Sequence, residues 1–367
     1  MLTFCLALLV SFVVTMLVVK FSHLHEGLTA DTDLSGAQKF HTRPVPRIGG
    51  LGIALGAISG IAVLYFREAV QFHDYVILLC AAVPAFAAGF AEDLTKQVSA
   101  RSRLLATMTA AALAVWLLDV RVVRIDVGLI DSVLAVYAVS FAVTIFAVAG
   151  LANAVNIIDG FNGLAAIVTT TMFISLAYVG YHTGDTLVLS CSLIMAGAIL
   201  GFFLWNFPAG LIFLGDGGAY FIGFILAELA IILAMRNPAV SAWYPVLMFI
   251  YPLFETLFSI YRKKILRGMS PGVPDGVHLH MLVYKRLMRW AVGSKDERHR
   301  LRRNSLTSPY LWFLSMLAVL PATLFWNHGV VLASCVLAFV ITYVWLYWSI
   351  VRFKAPRWLI VKKSRHH

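Results

Sequence analysis

Apolar residues run along this chain in long unbroken blocks, without the alternation of a half-buried strand or the stripe of a half-buried helix. The blocks cover about 1–20, 48–66, 74–91, 103–119, 133–150, 161–180, 186–204, 218–235, 240–262, 309–326 and 329–351. Each is roughly 17–22 residues long, enough for a helix to cross the hydrocarbon layer of a bilayer. A membrane barrel would instead alternate apolar and polar positions. The predicted fold class is therefore an all-α polytopic membrane protein with about eleven transmembrane helices. No Lys or Arg precedes the first block, and no small-x-small cleavage pattern follows it before Lys20, so it is expected to remain as an uncleaved span.

Composition agrees with the pattern. Of the 367 residues, 60% are hydrophobic and 13% charged, against about 25% charged in a soluble domain. The spans divide the connections into two sets, and charge assigns the sets to faces. Arg67, Arg121, Arg124 and Arg236 fall on one side; the other 25 of the 29 basic residues fall on the opposite side. The positive-inside rule makes that basic side cytoplasmic, with the N-terminus outside and the C-terminus inside. A single transmembrane domain is expected over 1–351, with cytoplasmic loops at 20–47, 92–103, 151–160, 205–217 and 262–308, then a basic cytoplasmic tail over 352–367. The loop over 262–308 is short and highly charged, and is expected to lie on the membrane surface. Cytoplasmic flanks explain the net charge of +11, and no nucleic-acid partner is implied. Cys5, Cys80, Cys191 and Cys335 all sit inside apolar blocks without metal-ligand spacing, so neither a disulfide nor a zinc site is expected.

Polar residues gather on the basic side in five places. The first holds Lys39, His41 and Pro46-Arg47-Ile48-Gly49-Gly50. The second is Gly89-Phe90-Ala91-Glu92-Asp93. The third runs Asn153-Ala154-Val155-Asn156-Ile157-Ile158-Asp159-Gly160-Phe161-Asn162-Gly163. The fourth contains Asn206-Phe207-Pro208-Ala209 and Phe213-Leu214-Gly215-Asp216-Gly217-Gly218. The fifth holds Arg262, Arg267, Asp275, His278 and His280. Each has an ordinary reading alone: Asp159 and Asp216 as helix caps, the asparagines as loop hydrogen-bonders, Glu92-Asp93 as a solvated helix end, the basic residues as flanks. Together they fit one chemistry. Glu92, Asp93, Asp159 and Asp216 put four carboxylates on one face, where a cation would relieve their repulsion. Oxygen ligands with asparagine amides suit Mg²⁺ or Mn²⁺, and the surrounding Lys, Arg and His suit phosphate oxygens. The combination points to phosphoryl transfer assisted by a divalent cation.

From Lys39 to His280 these motifs resemble the polyprenyl-phosphate N-acetylhexosamine-1-phosphate transferases, glycosyltransferase family 4. The resemblance rests on K-x-H…P-R-x-G-G, the acidic pair after G-F, N-A-V-N-x-x-D-G-x-N-G-L, N-x-P-A…F-x-G-D-x-G, and P-L-F-E…R…D-x-x-H-x-H, in that order. It implies transfer of a sugar-1-phosphate from a UDP-sugar to polyprenyl phosphate, usually undecaprenyl phosphate, with release of UMP. Mg²⁺ is the implied cofactor, with Mn²⁺ an alternative. The implied partners are the UDP-sugar donor, the polyprenyl phosphate acceptor and the lipid bilayer; a homodimer is left open. The implied location is the bacterial cytoplasmic membrane, with the active site on the cytoplasmic face. Carried over to this chain, Asp216 is the leading metal ligand, with Asp159. Asn153, Asn156, Asp159 and Asn162 line the nucleotide pocket. Glu92, Asp93, Lys39 and His41 form the catalytic group around the lipid phosphate, and Arg262, Arg267, His278 and His280 contact the donor.

Two positions depart from the family pattern. The acidic pair starts with Glu92 where Asp is usual, and Met281 stands where the histidine loop often has a further His. The run Arg267-Gly268-Met269-Ser270-Pro271…Asp275 resembles the branch that starts O-antigen, common-antigen or teichoic-acid synthesis, and the three-histidine run of the phospho-MurNAc-pentapeptide branch is missing. A secondary transporter would also have many spans and intramembrane acids such as Glu255, but would place its polar groups near the midplane in related halves. A non-catalytic scaffold is the other alternative, kept open by Glu92 and Met281.

Overall fold

The computed structural model describes residues 1–31, 44–67, 72–270, 276–288 and 297–354. Among them, ten helices are long and apolar enough to cross a membrane. These are α1 (Leu2–Lys20), α3 (Gly49–Phe66), α4 (Phe72–Thr95), α5 (Ala100–Leu118), α7 (Tyr137–Ile158), α8 (Leu164–Thr183), α9 (Thr186–Asn206), α10 (Gly215–Arg236), α14 (Glu297–Leu324) and α15 (Gly329–Val351). Shorter helices join them: α2 (Ser22–Thr29), α6 (Gly128–Leu134), α11 (Trp243–Met248), α12 (Ile250–Tyr261) and α13 (Leu279–Leu282). One small sheet interrupts the all-helical picture, where β1 (Ala30–Asp31) pairs antiparallel with β2 (Val45–Pro46).

The span expected over 240–262 is broken. Its two halves, α11 and α12, meet at Phe249. Pro252 explains the break: its ring clashes with the carbonyl four residues earlier, at Met248, and it has no N–H to bond there. A π-helical turn, Arg262–Leu266, extends α12. Other helices run past the apolar blocks that announced them. α4 continues through Glu92 and Asp93, α7 carries Asn153 and Asn156, and α14 begins twelve residues before its block. Hydropathy marks the part of a helix that needs lipid or core around it; the backbone ladder continues wherever polar side chains find partners. For the same reason the 262–308 region does not simply lie on the surface. Leu279, Leu282, Val283, Leu287 and Met288 are buried, on α13 and the π-helical turn Val283–Met288, which pack against α14 and α15.

α10 is the axis of the bundle. Every residue from Gly215 to Ala234 is buried, and the helix touches α3, α4, α5, α7, α8, α9 and α11. Small residues make this crowding possible. A Cβ on Gly89 of α4 would lie 2.6 Å from the backbone of Asp216 and Gly217, so only glycine lets α4 come this close to the start of α10. The segment before α3 is laced to the same place: Phe213 donates to Pro46 at 2.8 Å, Gly49 to Phe213 at 3.0 Å and Gly50 to Leu214 at 2.9 Å. By contrast, α1 and α15 keep most of their surface outside the bundle.

Candidate active site

Asp216 lies in the first turn of α10, and three other helices and the β2–α3 junction converge on it. Gly215, just before it, has a φ of +76°, a left-handed conformation that glycine adopts without strain. The turn brings the first amides of α10 face to face with α4. Asp93 accepts from the Asp216 N–H on Oδ1 at 2.8 Å and from the Gly217 N–H on Oδ2 at 2.9 Å. The N-cap position of α10 is Leu214, which has no side-chain cap to offer. Asp93 therefore caps α10 from another helix, placing its charge at the positive end of the helix dipole.

The Asp216 carboxylate is ringed by cations and an amide. Asn156 Nδ2 of α7 donates to Oδ1 at 3.0 Å, Arg47 approaches the same oxygen at 3.4 Å, and Arg103 of α5 pairs with Oδ2. Arg47 also lies 3.9 Å from Asp93. The arginine side chains are 24% and 17% exposed against 1% for Asp93, so the cations form the open rim and the acids the floor. Arg103 lies over the Tyr220 ring at 6.0 Å, and the Tyr220 hydroxyl donates to Asn153 Oδ1 at 3.3 Å. Asp159 ends α7 as its C-cap, so neither it nor Asp216 caps a following helix with its side chain. Burial pushes the Asp159 carboxyl up to about 7, against the pull of the Arg47 guanidinium.

The expected gathering of four carboxylates is not what the fold builds. Among the described residues, no three of His, Cys, Asp and Glu converge as a metal-ligand group. Neighbours on a helix point about 100° apart, and this separates the acidic pair. Glu92 turns away and accepts from the Val98 N–H at 2.7 Å, fastening the α4–α5 turn just before Arg103.

Other expected site residues fall into two groups. Lys39, His41 and Asp275 lie outside the described residues. Asn162 is brought near but is buried, with its backbone and side chain engaged in protein contacts. Its N–H donates to Asn304 and its carbonyl accepts from Ser308, both on α14, while Nδ2 donates to the Pro208 carbonyl. With Trp312 holding the Gly163 carbonyl, α14 pins the turn that follows Asp159, and Asn162 anchors that turn. Arg262 is likewise buried and donates to the Val277 carbonyl and the Tyr347 hydroxyl, bracing the histidine loop. Arg267 is exposed at the end of the π-helical turn. His278 hydrogen-bonds Glu255, and His280 packs beside Phe161 and Gly160.

Sequence reading missed Arg103, Tyr220, Asn304 and Ser308 as parts of the site. Arg103 looked like any basic flank, and the α14 residues belong to a loop that was expected to be on the surface.

Residues 75–234 match the glycosyl transferase family 4 domain. Over this stretch the chain carries a glycosyl transferase family 4 domain. The family 4 match carries Asp93, Arg103, Asn156, Asp159 and Asp216, and stops short of Arg47 and the histidine loop. Similarity to individual proteins covers more of the chain. The chain is 27% identical over 254 residues to a probable undecaprenyl-phosphate N-acetylglucosaminyl 1-phosphate transferase of Bacillus subtilis, covering 68% of each chain. It is 27% identical over 282 residues to an undecaprenyl-phosphate alpha-N-acetylglucosaminyl 1-phosphate transferase of Thermotoga maritima, covering 77% of this chain and 81% of that one. A protein of Yersinia pestis with the same name is 26% identical over 264 residues, 69% of each chain.

Proposed function

We propose that this protein transfers N-acetylhexosamine-1-phosphate, most simply GlcNAc-1-phosphate, from a UDP-sugar to polyprenyl phosphate and releases UMP. The observation that carries this reading is Asp216 at the mouth of a membrane bundle, held between Arg47, Arg103 and Asn156. A carboxylate flanked by two guanidinium groups suits a ligand that brings both a cation and phosphate oxygens. The names of the Bacillus, Thermotoga and Yersinia relatives support the same donor and acceptor. Their names give N-acetylglucosaminyl 1-phosphate as the transferred group, which supports GlcNAc as the first donor to test.

The remaining donor set fits a hard divalent cation. Asp216, Asp159 and the amide oxygens of Asn153 and Asn156 are oxygen ligands, and Mg²⁺ usually takes one or two carboxylates with substrate phosphates completing its shell. Mg²⁺, or Mn²⁺ in its place, would supply fixed positive charge beside the diphosphate. The chain's own residues do the rest. Arg47 and Arg103 can turn from Asp216 to phosphate oxygens as the donor enters. Asn156 keeps Asp216 oriented, and Asp93 fixes the α10 terminus on which Asp216 rides. An oxygen of the acceptor phosphate attacks the sugar-bearing phosphorus, and the bond to UMP breaks. The acceptor's second pKa is about 6, so much of it is already a dianion at neutral pH and needs little help from a base.

The basic bias supports an orientation with the site on the cytoplasmic face of the inner membrane. A reporter fused after Lys363 should be active only as a cytoplasmic reporter, and an external tail would reverse the orientation. The activity is tested with purified protein, undecaprenyl phosphate and a panel of radiolabelled UDP-HexNAc donors. Label should enter the organic phase with stoichiometric UMP, and only when the acceptor is present. Failure with every donor in the panel would refute the reading.

A further inference from the structure

The last span, α15, lies outside the family match, and much of its length exposes apolar residues such as Val330, Leu337, Ile341 and Trp345. Two tyrosines break that pattern. Tyr343 and Tyr347 are buried, one helical turn apart. Each connects to the histidine loop, Tyr347 directly and Tyr343 through Glu255. The Tyr343 hydroxyl donates to Glu255 Oε2 at 2.8 Å. Glu255, on α12 and 1% exposed, accepts on its other oxygen from His278 Nδ1 at 2.9 Å and from the Leu279 N–H at 3.1 Å. The Tyr347 hydroxyl accepts from Arg262 at 2.7 Å and donates to the Val277 carbonyl at 3.2 Å.

The chain of contacts continues toward the site. The His278 and His280 rings stack, with centroids 5.3 Å apart and planes within 7°. His280 meets Phe161 edge-on at 5.7 Å, and its Nε2 would lie 3.3 Å from a Cβ on Gly160, the residue after Asp159. A buried carboxylate costs free energy unless donors surround it; here three donors from α13, the histidine loop and α15 converge on one side chain. That side chain has no direct role at Asp216.

We propose that Glu255 and Tyr343 are positioning residues for the donor subsite. They fix His278 and, through its ring, hold His280 against the Asp159–Gly160 turn, which makes the last span a working part of the site. The inference rests on reading that site as the UDP-sugar site. A positioning role acts on the donor and leaves the lipid acceptor alone, whereas a general loss of packing affects both.

The test uses the full-length protein and the variants Glu255→Leu, Glu255→Gln and Tyr343→Phe. Gln can still accept from His278 and donate to Tyr343, so it should rescue most of what Leu loses. For Glu255→Leu, the KM for the UDP-sugar should rise at least about tenfold, the scale of a lost charged hydrogen bond. The KM for undecaprenyl phosphate should stay within about twofold. Tyr343→Phe should raise the donor KM about fivefold, as loss of one hydrogen bond predicts, and should add nothing in the Glu255→Leu background. Hydrogen exchange of backbone amides in 277–282 reports the loop without any turnover and should quicken in Tyr343→Phe, a mild change that keeps the fold. Unchanged exchange in that segment, or equal changes in both KM values, would overturn the proposal. If the wild-type protein transfers no sugar, the functional reading fails on that arm alone, while the exchange arm still tests the brace.

Discussion

Replacing Asp93 with Asn removes a charge and an acceptor at the α10 terminus, and the structure sets the size of the effect. The carboxylate takes one N–H on each oxygen, from Asp216 and from Gly217. Asn keeps one acceptor and turns an NH₂ group toward the other donor. One charge-assisted bond is lost, and a buried amide is left unpaired, at about 1–3 kcal/mol. Losing negative charge at a helix N-terminus adds about 0.3–1 kcal/mol, or up to about 2 kcal/mol where it is partly buried. The expected destabilisation is about 1–5 kcal/mol. Activity should fall further than stability alone requires, because a displacement of about 1 Å at a reacting group can cost about 10²-fold. Thermal unfolding in detergent should show a lowered Tm for Asp93→Asn, and turnover of labelled donor should drop about 10²-fold or more. Glu92→Gln should stay near wild type in both, since an amide oxygen can still accept from Val98. A different result would refute this reasoning: an unchanged Tm for Asp93→Asn, with a rate defect that shrinks as pH rises and the acceptor phosphate ionises. Asp93 would then act on a proton and not as a cap.

Chelation with EDTA should abolish transfer, and Mg²⁺ or Mn²⁺ should restore it; Asp216→Asn should lower metal affinity or kcat by orders of magnitude, and wild-type turnover in that variant would exclude Asp216 as a ligand. Arg103→Leu should reduce kcat/KM for the UDP-sugar by about 10–100-fold, the range of a lost charged hydrogen bond, with Arg103→Lys recovering part of it; an unaffected Arg103→Leu would remove Arg103 from the site. On the opposite face, burial works against the charge of Asp126, but the Ala242 N–H, the Ser241 hydroxyl and Arg124 hold its carboxyl below the usual range. A depressed carboxyl stabilises the fold above its unfolded-state value, and that contribution is lost as pH falls through the folded one. The fall in Tm on acidification should therefore be shallower in Asp126→Asn, and parallel curves for the two proteins would contradict the assignment.

What the sequence revealed and what it hid follow from the range over which each signal acts. A span is a local property: some twenty consecutive residues must satisfy the hydrocarbon layer, so the blocks could be read with ends wrong by a turn or more. The side on which polar groups gather follows from the same local counting, which is why Asp93, Asn156 and Asp216 were found on one face. Partners are another matter. Arg103, one turn into α5, is recognisable only once α5 has packed beside α10, and Tyr343 reaches Glu255 across 88 residues of chain. Rotation about a helix is equally invisible when a motif is read as a string. Glu92 and Asp93 look like a pair, yet one caps a turn and the other caps α10. The same geometry explains why a site so rich in acids can persist at the edge of a membrane. Asp93 and Asp216 together bring two negative charges, and Arg47 and Arg103 bring two positive ones. Without substrate these four charges balance, and Asp159, pushed up to about 7 by burial, adds less than a full negative charge to them. A diphosphate entering alone would upset that balance, whereas one that arrives with a divalent cation nearly preserves it. On the proposed function, a preference for a cation-bound donor would follow from this charge count, independent of any single contact.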